Sequence, residues 1–123
     1  MTSLAIKRVY EPPGDDDGIR ILVDRLWPRG IAKDKARIDL WLKDIAPSTA
    51  LRKRFHGKSG DWDAFRAAYI AELKGAAAQA AVKDLLGHLQ NGPVTLLYAA
   101  RDERQNNAVA LKTWLDRQKT RRT

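Results

Sequence analysis

Two short apolar runs constrain the fold of this chain most strongly. Residues 94–100 read VTLLYAA, and residues 19–24 read IRILVD. Nearly continuous apolar runs of this length are typical of strands that are buried on both faces of a parallel sheet. Helical patterns lie between the strands. The sequence therefore predicts an α/β fold, with about four mostly parallel strands flanked by helices.

The remaining elements follow from hydrophobic spacing and from turn residues. The predicted strands cover residues 4–10, 19–24, 38–43 and 94–100. The predicted helices cover residues 33–36, 49–56, 62–74, 76–90 and 108–119. We expect Ser48 and Asp61 to cap helices. The segment 31–47 is also open to a helical interpretation.

Composition limits the class of protein. The 123 residues suit one domain, residues 1–123, with a basic tail at about 117–123. No cysteine is present, which excludes thiol chemistry and agrees with a cytoplasmic location. No apolar stretch is long enough for a signal peptide or a membrane span, so we expect no membrane partner. The net charge of +8 favours anionic partners, among which nucleic acid is one alternative.

Polar and aromatic side chains gather where three of the predicted strands end. In parallel sheets these carboxyl ends form the edge that binds ligands. The candidate ligand-binding residues there are Arg8, Tyr10, Arg25, Trp27, Arg29, Tyr98, Arg101, Asn106 and Asn107. The start of the last predicted helix would add backbone N–H groups and a positive dipole end at the same place. Together these features predict a cleft for a phosphate or a carboxylate.

The residues around Trp27 also have a structural interpretation. Arg25 and Arg29 would either face an acidic ligand or form an ion pair with Asp24 that holds the loop. Trp27 could stack on a ligand ring, but a packing role beneath the loop is favoured.

The turn before the last predicted helix has the same ambiguity. Asp102 and Asn106 would either contribute to an anion site or only cap the helix, with Arg101 paired to Asp102 on the surface. Asp24 and Asp102 are the candidate general bases, although no recognisable catalytic set accompanies them. Whether the chain is an enzyme stays open.

No metal or cofactor is expected. His56 and His88 are isolated histidines without carboxylates at the spacing of a metal site. The run DDD at residues 15–17 lacks the spaced ligands of a calcium loop, which favours a solvated loop.

Three blocks of the sequence resemble the DUF488 family, in its short YeaO-like branch. The blocks are LVDRLWPRG, WLKDIAPS and VTLLYAARDE followed by NNA, and the resemblance covers nearly the whole chain. It implies a small α/β domain with these blocks gathered around one cleft. The family positions map onto Arg8, Tyr10, Asp24, Arg25, Trp27, Pro28, Arg29, Gly30, Lys43, Pro47, Ser48, Tyr98, Asp102, Asn106 and Asn107. The family name itself records an unknown function.

Two departures from the family pattern bear on chemistry. Relatives in this branch often carry a histidine before the asparagine pair, where this chain has Gln105, which cannot shuttle a proton near neutral pH. Longer relatives carry a cysteine after the last strand, and this chain has none. These departures put proton transfer by that histidine and cysteine-based chemistry in doubt. From the charged and aromatic residues at the strand ends, we expect the chain to bind a small anionic ligand in a cleft there. The alternatives are a hydrolase or transferase that acts on such a ligand, and a nucleic-acid-associated module.

Overall fold

The computed structural model describes residues 3–55 and 62–121 of the chain. Its strands are β1 Leu4–Arg8, β2 Ile19–Leu22, β3 Leu40–Trp41 and β4 Val94–Tyr98. Its helices are α1 Lys33–Ala36, α2 Thr49–Phe55, α3 Trp62–Leu73, α4 Ala76–Asn91 and α5 Asn107–Arg121. A 3₁₀ turn covers Lys43–Ile45.

β4 lies inside a parallel sheet with the strand order β1-β4-β2-β3. It pairs with β1 on one side and with β2 on the other, and β2 pairs with β3, all in parallel register. All five side chains of β4 are buried, as expected for a strand that is covered on both faces. The prediction of an α/β domain with four parallel strands is confirmed.

The two faces of the sheet are covered differently. Side chains such as Ile21 and Leu96 pack on the face that carries the apolar sides of α3, α4 and α5. Their neighbours Leu22 and Leu97 point to the other face, against α1 and the segment around Trp27. This division follows from the alternation of side chains along a strand.

The predicted strands are longer than the observed ones. The strand predicted at residues 38–43 shrinks to Leu40–Trp41, because the backbone then tightens into the 3₁₀ turn. β1, β2 and β4 each end two residues earlier than predicted. The backbone hydrogen bonds to β4 nevertheless continue for one residue beyond β1 and β2. Val9 N donates to Tyr98 O over 2.7 Å, and Val23 N donates to Leu97 O over 3.1 Å.

Short polar side chains start two of the helices. Ser48 caps α2, because its Oγ accepts a hydrogen bond from Leu51 N at 3.1 Å. Asn106 caps α5, because its Oδ1 accepts one from Val109 N at 2.9 Å. The predictions for Asp61 and His56 lie outside the described residues. Within 3–55 and 62–121, no helix has the length and apolar character needed to cross a bilayer.

Candidate functional site

Asp24 lies at the centre of the carboxyl end of the sheet. Its Oδ2 accepts a hydrogen bond from Ala99 N at 2.9 Å, just beyond β4. Its Oδ1 accepts one from Asn107 Nδ2 at 3.0 Å, at the first residue of α5. Asn107 Nδ2 also donates to Val23 O over 2.9 Å. One carboxylate therefore ties together β2, β4 and the start of the last helix.

Burial raises the pKa of Asp24 above its ordinary value, while the hydrogen bonds from Asn107 and Ala99 and the charge of Arg52 partly oppose this increase. The backbone of Asp24 is also held, because Trp41 Nε1 donates to its carbonyl oxygen over 2.7 Å. The sequence suggested an ion pair between Asp24 and an arginine. No such pair forms among the described residues, because backbone and amide donors occupy both carboxylate oxygens.

Arg25 turns inward beside this centre. Its Nη2 donates to Ala46 O over 3.0 Å. Its Nε is buried and has no hydrogen-bond partner among the described residues. The pKa of the buried Tyr69 is raised, chiefly by burial and then by the charges of Asp24 and Glu72. The positive charge of Arg25 partly opposes this increase. The guanidinium is therefore anchored at one nitrogen inside a partly buried, charged environment.

The guanidinium of Arg8, at the end of β1, is likewise held by hydrogen bonds to backbone carbonyl oxygens. Its Nε donates to Ala100 O over 3.0 Å, and its Nη2 donates to Ala99 O over 3.2 Å. The guanidinium carbon lies 5.0 Å from the centroid of the Tyr10 ring. Because β4 separates β1 from β2 in the sheet, Arg8 and Arg25 flank the end of β4.

The loop after β2 is closed by aromatic side chains. Trp27 Nε1 donates to Ile31 O over 2.8 Å, and its ring meets Trp41 edge-on at 5.3 Å. The favoured packing role of Trp27 is thus realised. Tyr10 OH donates to Arg29 O over 3.1 Å. The side chain of Arg29 itself is exposed.

The turn between β4 and α5 is held by its own polar groups. Asp102 Oδ1 accepts hydrogen bonds from Arg104 N and Gln105 N, at 2.9 and 3.0 Å, and these bonds lower the pKa of this exposed carboxyl. Asn106 Nδ2 donates to Asp102 O over 2.8 Å. The capping interpretation is therefore correct for Asn106, whereas Asp102 holds the turn that precedes the helix and does not cap the helix itself. The suggested pair of Arg101 with Asp102 is wrong within the described turn, since Asp102 is engaged by backbone amides.

Tyr98 is the innermost of the sequence-predicted residues, with 2% of its side chain exposed. Burial and the charges of Glu103 and Glu11 raise its pKa, whereas Arg8 and a hydrogen bond with Asn106 lower it. It therefore connects the end of β4 with the cap of α5.

Two residues near the site were not predicted from the sequence. Tyr69 on α3 is buried, and its hydroxyl donates to Ile45 O over 2.6 Å. Trp41 bonds the backbone of Asp24, and Lys43 Nζ lies 4.4 Å from the centroid of its ring. The helical spacing of Trp62, Phe65 and Tyr69 indicates an inner face, but it gives no sign that the face reaches Asp24.

The described part of the chain offers no group of three or more His, Cys, Asp or Glu side chains that could hold a metal ion. His88 lies on α4 and contacts Asp84, with 3.3 Å between Nε2 and Oδ1. The site is accordingly one of guanidinium, amide and carboxylate groups.

Comparison with known proteins identifies the family. A family model described as the inactive DUF488-N3 subclade, DUF488-N3i, matches residues 3–123. The chain belongs to this family. The resemblance that the sequence blocks indicated is thereby confirmed.

The relatives extend over almost the full length of the chain. The uncharacterized protein YeaO of Escherichia coli K12 is 49% identical over 113 residues, which cover 92% of this chain and 96% of that protein. The uncharacterized protein Rv3073c of Mycobacterium tuberculosis H37Rv is 41% identical over 115 residues, which cover 94% and 95%. No solved structure shows a significant match. The family is thus one of proteins of unknown function.

Proposed function

We propose that the chain binds a small anionic ligand, with a phosphate or carboxylate group, at the carboxyl end of the sheet. The observation that carries this proposal is the anchoring of two guanidinium groups by backbone carbonyls, Arg8 by Ala99 and Ala100, and Arg25 by Ala46. Among the described residues, neither guanidinium bonds a protein acceptor through its Nη1. Each group thus retains donors for an anion.

Anchored arginines suit anion binding for a physical reason. A guanidinium that is already fixed loses less conformational freedom when a ligand arrives. Its planar donors match phosphate and carboxylate oxygens in pairs. The start of α5, at Asn107, adds first-turn N–H groups and a positive dipole end beside Asp24. Exposed Arg29 and Arg101 add positive charge at the same edge.

The surrounding aromatic residues suit a ligand with an organic part. Trp27 borders the loop, and Tyr10 at the rim is 45% exposed. We propose that these rings form the walls of the site and that Tyr98 supports them through Asn106. A cysteine-free chain is compatible with the reducing cytoplasm, and we propose that compartment as the source of the ligand.

Binding without turnover is favoured over catalysis. A general base must reach the proton that it removes and must have a pKa near the working pH. Both oxygens of Asp24 are held by hydrogen bonds from the end of β4 and the start of α5, which favours a structural role for this carboxylate. Asp102 has a lowered pKa and bonds two backbone amides, which makes it a weak base. The description of the family as an inactive subclade agrees with this reasoning.

A hydrolase or transferase is the second candidate, and one observation favours it. The pKa of Asp24 is raised by burial, as is common for carboxyl groups that transfer protons. This candidate predicts turnover of a bound ligand that is lost in Asp102→Asn or Asp24→Asn while binding persists.

The test is a thermal-shift screen with inorganic phosphate, nucleotides, sugar phosphates and a short oligonucleotide, each at two salt concentrations. A ligand at about 100 times its dissociation constant should add roughly 2.7 kcal/mol to the free energy of unfolding. We expect one class of small anion to give a shift that survives high salt. Arg25→Gln should remove that shift.

The control is Lys83→Gln, which removes the same charge from an exposed position of α4. It should retain the shift, because Lys83 lies outside the site. An unchanged shift in Arg25→Gln would refute the proposed site. A shift given only by the oligonucleotide and lost at high salt would instead support the nucleic-acid module.

A further inference from the structure

A cleft lies at the amino-terminal end of the sheet, opposite the proposed anion site. It is open, has a volume of about 740 Å³, and is lined by the loop that precedes β2 and by the turn after α1. This volume lies within the range of small-molecule sites. Arg20 in the cleft and Asp24 at the carboxyl end lie at opposite ends of the same strand segment. The proposed anion site does not use this cleft.

Arg20 forms the floor of the cleft. Its side chain is 3% exposed, within an otherwise apolar strand. Its Nε donates to Ala36 O over 3.1 Å, and its Nη1 forms an ion pair with Asp17. Its Nη2 is buried and has no hydrogen-bond partner in the part of the chain that the structure describes. Because buried donors nearly always have an acceptor, this unpaired nitrogen on a residue that lines the cleft points to an acceptor from outside the described residues.

Asp17 keeps this guanidinium in place. Its carboxylate also accepts hydrogen bonds from Lys7 Nζ, at 3.0 and 3.1 Å, and from Gly14 N at 2.9 Å. Lys7 and Arg20 therefore share one carboxylate. This arrangement holds the loop against β1 and β2 and leaves a net positive charge beneath the cleft.

The rim of the cleft carries both signs of charge. Asp15, Asp34 and Asp39 line it together with Arg37. Asp34 Oδ1 accepts a hydrogen bond from the neighbouring Lys35 N at 3.0 Å, and Asp39 Oδ2 accepts one from Arg20 N at 2.8 Å. The carboxylates do not form a metal-binding group within the described residues.

We infer that this cleft binds a zwitterionic amino compound, of which a basic amino acid is the simplest example. The ligand carboxylate would meet Arg20 and Arg37, and its cationic groups would meet Asp15 and Asp34. Three aspartates against two arginines leave the lining with one net negative charge, and a basic amino acid carries one net positive charge. Polar groups of both signs on the ligand would thus find partners of opposite sign.

The backbone at Arg37 agrees with a role for its side chain. Arg37 adopts the left-handed conformation, with φ of 51°, at the end of α1. Glycine is the usual residue at such a helix end. An arginine is therefore held there against the preference of its backbone, in a position that lines the cleft.

The test is a titration of the ¹⁵N-labelled full chain with L-arginine, followed by amide chemical shifts. We expect saturable shifts confined to residues 14–20 and 34–39. Agmatine lacks the carboxylate, and it should bind at least about tenfold more weakly because the two guanidinium groups lose their anionic partner. Absence of saturable shifts at millimolar L-arginine, or equal affinity for agmatine, overturns the inference.

Variants of exposed residues keep the test independent of folding. The double variant Asp15→Asn with Asp34→Asn should weaken L-arginine binding by about tenfold or more. Arg37→Gly should weaken it similarly. Asp16→Asn is the matched control, since Asp16 is exposed beside Asp15 but does not line the cleft. Equal losses in the control and in the double variant would show a general charge effect and would contradict the proposed site.

Discussion

Asn107 donates a hydrogen bond from Nδ2 to Oδ1 of Asp24 over 3.0 Å, across 83 positions of the sequence. The same amide nitrogen bonds Val23 O over 2.9 Å. The two residues therefore fix α5 onto the end of β2. A ligand at the carboxyl end of the sheet would therefore bind where β2 and α5 are already held in fixed positions by this contact.

Asp24→Asn should destabilise the fold. An asparagine side chain has one acceptor oxygen, whereas Ala99 N and Asn107 Nδ2 are both donors directed at residue 24. One donor would then face the new NH₂ group, at a cost of about 1–3 kcal/mol. Urea unfolding followed by circular dichroism measures this loss as a lower midpoint with an unchanged slope.

The exchanged double variant, Asp24→Asn with Asn107→Asp, is the control for this contact. The new amide at position 24 then donates to the carboxylate at position 107, although that carboxylate also faces Val23 O without a donor. The double variant should therefore lose less stability than the sum of the two single variants. Strictly additive losses of the two single variants would show that the pair is not coupled.

Asp17 should make stability sensitive to acid. Burial alone would raise its pKa, but the hydrogen bonds from Gly14, Lys7 and Arg20 together bring it below the ordinary value of 3.8. A carboxyl whose pKa is lower in the folded state contributes stability above its unfolded pKa and loses it as the pH falls through the folded pKa. This part of the free energy of unfolding should therefore disappear below about pH 4.

The measurement compares wild type with Asp17→Asn. The variant leaves the buried Arg20 without its counter-ion and should lose about 3 kcal/mol near neutral pH. The difference in free energy of unfolding between wild type and the variant should become smaller as the pH falls below about 4. A difference in free energy of unfolding that does not change with pH would contradict the assigned role of Asp17.

The parallel sheet could be predicted, because continuous apolar runs indicate burial on both faces. Once the strands are parallel, Arg8, Asp24 and Asn107 must meet at one end. The partners of Asp24 could not be predicted. Both a neighbouring arginine and a distant asparagine can donate hydrogen bonds to a carboxylate. Only the folded structure shows which of them lies within bonding distance.

The amino-terminal cleft was missed for a different reason. The run at residues 15–17 has the composition of a solvated loop, and Asp15 and Asp16 are indeed exposed. Asp17 instead pairs with Arg20. The available signal was Arg20 itself, because an arginine inside an apolar strand is rarely buried without a partner.

Gly18→Ala should destabilise the fold by about 2 kcal/mol or more. Gly18 has φ of +66°, and an added Cβ would lie 2.1 Å from Pro93 O. That carbonyl accepts a hydrogen bond from Ile19 N at 3.0 Å, so the contact cannot open without disturbing the start of β2. Thermal unfolding measures the loss.

Two other glycines separate backbone strain from the steric clash. Gly30 has φ of +77° but nothing within 4 Å of an added Cβ, so Gly30→Ala should cost only about 1 kcal/mol. Gly87 lies inside α4 with open space around it, and Gly87→Ala should stabilise the fold by about 0.5–1 kcal/mol. Equal effects of all three substitutions would contradict this explanation.

Arg37→Gly should stabilise the fold although it removes a charged side chain. Arg37 has φ of 51° and ψ of 48° at the end of α1, where glycine relieves the strain between Cβ and the backbone. The larger entropy of glycine in the unfolded chain offsets part of this benefit, which leaves a gain of roughly 0.5–1 kcal/mol. Arg37→Ala is the matched comparison, because alanine removes the side chain but keeps Cβ, and its free energy of unfolding should stay within about 0.5 kcal/mol of wild type. If urea unfolding shows the two variants to be equally stable, the left-handed backbone at position 37 is not under strain.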